Sequence, residues 1–157
     1  MSMKIEEELK VKKFTNDWQR ATVNVLFTAS WLGLILEKRA SKRQITLQQF
    51  NALRILRGQL PSPTTNNLLR ARMISNTPDI SRLVDRIVAK GLASRSKNKD
   101  DKRAVDLFIT QKGLDLLDEI EEDMMLSDIL PDHLSEQEAA TLSALLDKLR
   151  GESTEEN

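Results

Sequence analysis

The N-terminal part of the chain has the apolar pattern of a long helix. From Val11 onward, apolar residues recur every seven positions in two rows, three or four residues apart. This spacing places both rows on one face of a helix. The rows are Val11, Trp18, Val25 and Leu32, and Phe14, Ala21, Thr28 and Ile35. Because residues 23–36 are also apolar on other faces, we expect a helix that is buried on most sides and shared between two subunits.

Three shorter helices are predicted next. A capping box at residues 46–49 starts the first, which ends near Gly58, and Thr64 or Thr65 caps the second. Thr77-Pro78-Asp79 predicts the third start, with Thr77 as the N-cap and the proline at the first helical position. Its core stripe is Ile80, Leu83, Val84, Ile87 and Val88, and its opposite face is Pro78, Arg82, Asp85, Arg86 and Ala89.

The periodicity then changes from helical to alternating. Residues 92–96 and 105–109 read as strands, and the connection between them is polar up to its last residue, which predicts a hairpin with a charged tip. Thr110 caps a long helix that we expect to break near Pro131. A second capping box at residues 135–138 starts the last helix. Its expected inward residues are Ala139, Leu142, Leu145, Leu146 and Leu149.

The order of these elements predicts a mainly α fold with a small β-hairpin wing. Three helices followed by a hairpin form the winged helix-turn-helix arrangement, in which the third helix enters the DNA major groove. The first and last helices have apolar faces that one small lobe cannot cover alone, so we expect a helical dimerisation region outside the lobe. The predicted division is a DNA-binding lobe at about residues 46–112, a dimerisation region at about 8–40 and 113–150, and a flexible tail at 151–157.

Composition excludes several kinds of chemistry. The chain has 157 residues, the length of one domain, with no cysteine and a single histidine, His133. Thiol chemistry is therefore excluded, and we expect no metal site and no cofactor. Neither a glycine-rich phosphate loop nor a nucleophile–base arrangement is visible, so an enzyme is not expected.

The acidic clusters at residues 6–8 and 121–123 fit a solvated helix face better than a metal site. Trp18 and Trp31 fit core or dimer-seam positions better than ligand stacking.

The zero net charge hides a strong segregation. Residues 70–103 contain ten basic and four acidic residues, a net charge of +6. From Gln111 to the end there are three basic and fourteen acidic residues, a net charge of −11. This asymmetry favours a segment that faces a polyanion, with two solvated faces as the alternative. The apolar run at residues 25–36 is too short to span a membrane, and no signal peptide is visible, so we expect a cytoplasmic protein.

Two blocks resemble the MarR family of winged-helix regulators. The first is D-I-S-R-L-V-D-R-I-V-A-K-G-L at residues 79–92. The second is D-K-R-A-V-D-L-F-I-T-Q-K-G at residues 101–113, which is similar to the family's D-x-R … T-x-x-G pattern. The resemblance implies a homodimer that represses transcription from an inverted-repeat DNA operator. It also implies release by a small aromatic ligand, bound between the first helix, the helix at residues 46–57 and the helix from Gln111.

The resemblance and the charge pattern together assign a candidate DNA-binding surface. Its residues are Asn76, Thr77, Pro78, Asp79, Ser81, Arg82, Arg86, Lys97, Lys99, Asp101, Lys102 and Arg103. Arg103 is expected in an A·T-rich minor groove, with the Asp101 carboxylate holding its orientation. Arg82 is expected to reach base edges or phosphates, and the three lysines are expected to meet phosphates or to be free in solvent.

Some of these assignments leave alternatives open. Arg86 either contacts DNA or pairs with a carboxylate inside the lobe. Asn76, Thr77 and Ser81 are hydrogen-bonding candidates, although Thr77 also suits a purely capping role. The segment before the third helix departs from the family's usual Leu-Gly-Leu-Ser turn, with Pro78 and Asp79 at positions where small polar residues commonly touch bases. A winged-helix module that binds another protein and not DNA is the alternative function.

Overall fold

The computed structural model describes residues 3–152. Its mainly helical architecture with one two-stranded antiparallel sheet confirms the predicted fold class. The elements are α1 (Ile5–Leu9), α2 (Asp17–Ser41), α3 (Leu47–Gln59), α4 (Asn66–Arg72), α5 (Ile80–Ala89), β1 (Ala93–Lys97), β2 (Val105–Ile109), α6 (Gln111–Met124), α7 (Leu130–His133) and α8 (Glu136–Arg150). The chain divides into two compact units, before and after the boundary between residues 117 and 118. Residues 153–157 of the expected tail lie outside the described part.

The long helix α2 begins later than its apolar rows suggest. Asn16 caps it by accepting a hydrogen bond from the Gln19 backbone N–H at 2.9 Å, so Val11 and Phe14 precede the helix. The separate helix α1 is tied to α2 by the Glu6–Arg20 ion pair at 2.6 Å. The hydrogen bond from Arg20 holds the pKa of the Glu6 carboxyl below its usual value.

Helix α2 is not buried on most sides within the single chain. Trp18 is 83% exposed, Leu26 and Leu34 are also exposed, and Ala40 is its one buried residue among the described side chains. The predicted burial of α2 therefore depends on a second subunit. Its sharing between two subunits stays a prediction.

The central lobe follows the predicted caps closely. Thr46 and Gln49 form the capping box of α3, and Thr65, not Thr64, caps α4. Thr64 is instead buried and exchanges two backbone hydrogen bonds with Leu107 of β2, at 2.9 and 2.8 Å. This backbone pairing between Thr64 and Leu107 ties the segment before α4 to the hairpin.

Helix α5 begins two residues later than the sequence suggests. Asp79, not Thr77, is its N-cap, and its carboxylate accepts a hydrogen bond from the Arg82 backbone N–H at 3.0 Å. Pro78 therefore lies outside the helix. The core stripe is confirmed, because Ile80, Leu83, Val84 and Ile87 are buried and Val88 is half-buried. Gly91 follows the helix with a φ of 72°, the left-handed conformation that glycine adopts readily.

The hairpin has a regular register. Ala93 pairs with Ile109, Arg95 with Leu107 and Lys97 with Val105. Strand β1 begins and ends one residue later than predicted, whereas the bounds of β2 are as predicted. Leu107 and Ile109 are buried against the lobe, so the base of the hairpin belongs to the core and its tip does not.

The C-terminal helices have the predicted caps but different ends. The Thr110 hydroxyl caps α6 by accepting from the Gly113 backbone N–H at 3.2 Å. Helix α6 ends at Met124, well before Pro131, which instead lies at the start of α7. Ser135 and Glu138 form the capping box of α8. No described residue of α8 is buried, so its expected inward leucines are exposed or half-buried within the chain.

Gly113 lies where α6 leaves the hairpin. A Cβ at this position would clash with the carbonyl oxygen of Leu92 and lie only 2.7 Å from Cγ1 of Ile109. Because glycine has no Cβ, the first turn of α6 can approach the hairpin base this closely; any other residue type at position 113 would clash.

Within the described residues, none of the helices has both the length and the apolar character to cross a membrane.

Candidate nucleic-acid interface

The outer face of α5 presents two arginines. Arg82 and Arg86 lie one helical turn apart, on the side opposite the buried stripe, and both are exposed. Neither guanidinium takes part in an ion pair within residues 3–152. The alternative in which Arg86 pairs with a carboxylate of the lobe is therefore wrong. Ser81 is exposed on the same helix.

The turn before α5 places its candidate residues in different environments. Thr77 is only 5% exposed, and its hydroxyl donates to the Ser75 carbonyl at 3.3 Å, so its side chain faces the lobe. Asn76 and Pro78 are exposed, whereas the exposed Asp79 has its carboxylate engaged as the cap. Thr77 is therefore not the helix cap, and its side chain is largely buried in the lobe.

The wing tip is ordered by one side chain that the sequence reasoning missed. The Asn98 Oδ1 accepts hydrogen bonds from the backbone N–H groups of Asp100 and Asp101 at 2.8 and 2.9 Å. Its side-chain amide donates to Asp106 at 3.0 Å. Asparagine before a polar loop is a signal for this kind of turn.

The four candidate cations of the wing are all exposed, namely Lys97, Lys99, Lys102 and Arg103. The expected contact between the Asp101 carboxylate and the Arg103 guanidinium is not observed. Asp101 instead accepts from the backbone N–H of Arg103 at 3.0 Å. The carboxylate therefore shapes the backbone at the tip and leaves the guanidinium of Arg103 exposed.

A second contact that sequence reasoning missed joins the wing to α5. The Asp85 carboxylate, on the outer face of α5, accepts a hydrogen bond from the Arg95 guanidinium on β1. Residue spacing alone does not show that positions 85 and 95 meet. The contact depends on how α5 and the hairpin pack.

An open groove of about 540 Å³ runs beside the start of α5. Its lining is Glu37, Thr46, Gln48, Gln49, Thr77, Pro78, Asp79, Arg82, Leu83 and Arg86. This lining mixes charged and polar side chains with Pro78 and Leu83, and it includes no residue of α6. It therefore differs from the apolar ligand pocket expected between the first helix, the helix at residues 46–57 and the helix from Gln111.

Within residues 3–152, no group of acidic residues and histidine is arranged to hold a metal ion.

These features define a winged helix-turn-helix domain with an exposed cationic face. The MarR family model matches residues 45–105, from the residue before the α3 cap into β2. The resemblance to the MarR family is therefore confirmed over residues 45–105, the helices α3 to α5 and most of the hairpin.

Solved structures agree with this assignment over most of the chain. A MarR transcription factor from Planctomyces limnophilus is 29% identical, with a TM-score of 0.66 and 86% of this chain and 98% of that chain covered. A mutant MarR from E. coli in complex with operator DNA is 25% identical, with a TM-score of 0.74 and coverage of 88% and 99%. The S. aureus MepR–DNA complex is similar in fold, at 22% identity, a TM-score of 0.70 and coverage of 87% and 97%. No curated protein sequence matches the chain.

Proposed function

We propose that this protein is a transcription regulator that binds double-stranded DNA with sequence specificity. One observation supports this proposal most strongly. The side chains of Arg82 and Arg86 on α5 and of the cations at the wing tip are all exposed to solvent. These groups belong to one lobe, within the segment whose net charge is +6. Two similar proteins, MarR of E. coli and MepR of S. aureus, have been solved in complex with DNA, which supports the assignment.

The two parts of the surface have different roles in this proposal. Helix α5 enters the major groove, where Arg82 reads a base edge and Ser81 and Asn76 lie close to the backbone or bases. The wing reaches the adjacent minor groove, where the Arg103 guanidinium gains from the strong negative potential of A·T-rich sequence. Lys97, Lys99 and Lys102 neutralise phosphates, which sets the register without reading the sequence.

We further propose that the working unit is a homodimer on an inverted repeat. Exposed apolar side chains on α2 and α8, including Trp18, Leu34, Leu142 and Leu145, support this assembly. Burying them requires a mainly apolar interface of obligate size, above about 2,000 Å². Two recognition helices in successive major grooves then require half-sites about 34 Å apart.

Repression and release by a small aromatic ligand rest on the family resemblance. The ligand acts in this proposal through its different affinities for the DNA-binding and released arrangements of the dimer. A titration of small phenolic compounds tests it, since binding at micromolar concentration should weaken operator binding. Compounds that bind at this level and leave operator affinity unchanged contradict the regulatory part. A regulator of this kind needs no catalytic activity. It acts in the cytoplasm, where its DNA target lies.

Footprinting on DNA upstream of the protein's own gene tests the DNA proposal. We expect protection of a palindrome and a steep fall in affinity as salt rises, since bound cations release counterions from the phosphates. A scrambled duplex of equal length is the control for specificity. Absence of both protection and salt dependence would overturn the proposal.

A winged-helix module that binds another protein is the second candidate. The observation in its favour is the balanced charge of the whole chain, with a pI near 6.6, because DNA-binding domains are commonly basic. The same titration separates the two functions. Weak, salt-insensitive DNA binding together with a specific protein complex would favour the module.

A further inference from the structure

An acidic side chain lies in the middle of the face that we assign to DNA. Asp85 is exposed on α5, three residues after Arg82 and next to Arg86. A carboxylate at this position repels phosphates, and it lies within reach of Arg82, since residues three apart on a helix are neighbours. Without another partner, Asp85 therefore opposes DNA binding in two ways.

The hairpin supplies that other partner. Ala93 and Arg95 alternate with Ser94, so they lie on one face of β1, and Ala93 is buried in the lobe. Across the ladder, Ala93 pairs with Ile109 and Arg95 with Leu107, both of which are buried. Arg95 thus leaves the hairpin on the side that packs toward α5, where its guanidinium binds the Asp85 carboxylate.

We propose that Arg95 is a positioning residue that occupies the Asp85 carboxylate and so keeps the guanidinium groups of Arg82 and Arg86 available for DNA. This inference rests on the proposed DNA-binding function and deepens it. Arg95 acts through Asp85 and not by direct contact with the operator. Because the pair is exposed on both sides, with side-chain exposures of 47% and 61%, its contribution to folding stability is small.

The variants Arg95→Ala, Asp85→Ala and the double variant test the proposal through operator affinity. Arg95→Ala should weaken binding about tenfold, because the released carboxylate repels phosphates and competes for Arg82. Asp85→Ala should bind as tightly as the wild type or more tightly, since it frees a cation. The double variant should recover to within about threefold of the wild type, and Arg95→Lys should do the same because it keeps the charge.

Lys97→Ala is the matched control, because Lys97 lies on the same face of β1 one step further toward the tip. It should weaken binding modestly, and Asp85→Ala should change its affinity only by as much as it changes that of the wild type. If Asp85→Ala also fails to rescue Arg95→Ala, Arg95 is a direct phosphate contact and the proposal is overturned. Equal losses of melting temperature and affinity in both single variants indicate a purely structural pair, which overturns it as well.

A measurement on the DNA-free protein decides the inference separately from the function. In Arg95→Ala, the Nε–H signal of Arg82 or Arg86 in ¹H–¹⁵N NMR spectra should shift and exchange more slowly, as the guanidinium pairs with Asp85. Adding Asp85→Ala should restore the wild-type signal. Unchanged arginine signals overturn the inference even if the wild type binds DNA. Failure of the wild type to bind any duplex overturns the proposed function, and the NMR result still decides whether Arg95 occupies Asp85.

Discussion

Helices α5 and α8 carry the same kind of apolar stripe but treat it in opposite ways. In α5, Ile80 and Ile87 are completely buried within the chain. In α8, Leu142, Leu145 and Leu149 are 46%, 58% and 56% exposed. Periodicity thus identifies a helix and its apolar face, but it does not say what covers that face. For α5 the cover is the winged lobe, and for α8 we propose a second copy of the chain.

The largest effect is expected from charges on α8. The double substitution Leu142→Glu and Leu146→Glu should abolish the folded dimer, since an obligate interface leaves no stable monomer behind. Sedimentation and circular dichroism at micromolar concentration measure the loss. Ser143→Glu, on an exposed position of the same helix, is the control and should remain dimeric. A folded wild-type monomer of about 18 kDa would break the comparison between α5 and α8.

A truncation in the stripe of α5 should have the next largest effect. Ile87→Ala removes a completely buried side chain, which typically lowers the free energy of unfolding by about 2–5 kcal/mol. Urea denaturation at fixed protein concentration measures it. Ala89→Lys on the exposed side of α5 should change the free energy by no more than about 0.5 kcal/mol. Similar losses at both positions would show that the two faces of α5 are not distinct.

Loss of the Arg82 guanidinium should affect recognition and not folding. Arg82→Ala should cost about 1–3 kcal/mol of operator binding and relax the preference at one base pair in each half-site, if the arginine binds a guanine through two hydrogen bonds. Titrations with single-base operator variants measure both effects. Arg54→Ala, an exposed arginine on α3 outside the proposed surface, is the control. An unchanged base preference would remove Arg82 from the readout.

Arg103→Ala should give a smaller and different loss. The slope of log affinity against log salt should decrease by about 1 for each lost phosphate-type contact. Binding should weaken most on operators with A·T-rich flanks, where the minor groove attracts cations. Asp100→Ala at the same tip removes an acid and should not lower the slope. If Arg82→Ala and Arg103→Ala both keep wild-type affinity, the protein-binding alternative is favoured.

The smallest effect concerns the cap of α8 at low pH. Hydrogen bonds from the Ser135 backbone N–H and hydroxyl hold the pKa of the Glu138 carboxyl below its usual value of 4.5. Its stabilising contribution is therefore present above the unfolded-state pKa and is lost as the pH falls through the lower folded-state pKa. Glu138→Gln should flatten the acid limb of the melting-temperature profile, and Glu136→Gln should not. An unchanged profile in Glu138→Gln would contradict the role of this carboxylate.

Local signals were sufficient for most elements of the fold. The capping boxes at Thr46 and Ser135, the cap at Thr110 and the stripe of α5 were all predicted from neighbours in sequence. The start of α5 was not, because Thr77 and Asp79 are both good caps. The choice between them depends on the burial of Thr77 against the lobe, which is a tertiary effect.

The site was predicted as a set of residues but not as a set of contacts. The candidate arginines of α5 and cations of the wing were assigned from the family resemblance together with the charge pattern, and the structure places them on the surface. The Asp85–Arg95 pair depends on packing between α5 and β1, and the roles of Asp101 and Asn98 depend on the shape of the tip. Such contacts join residues through three-dimensional geometry that spacing does not encode. The predicted start of α2 was too early for a simpler reason. Val11 and Phe14, the first members of the two apolar rows, match the helical period but precede the Asn16 cap.

The Asn98 turn has a consequence for the thermodynamics of association. The tip is held by three hydrogen bonds of one side chain before any ligand arrives. Ordering a flexible loop at an interface carries an entropic penalty, which a preorganised loop has already met during folding. A wing whose tip is already ordered would lose less conformational entropy on binding the proposed DNA partner, so more of each contact energy would remain as affinity. In this proposal Asn98 touches no ligand, but it lowers the conformational entropy that the wing loses on binding.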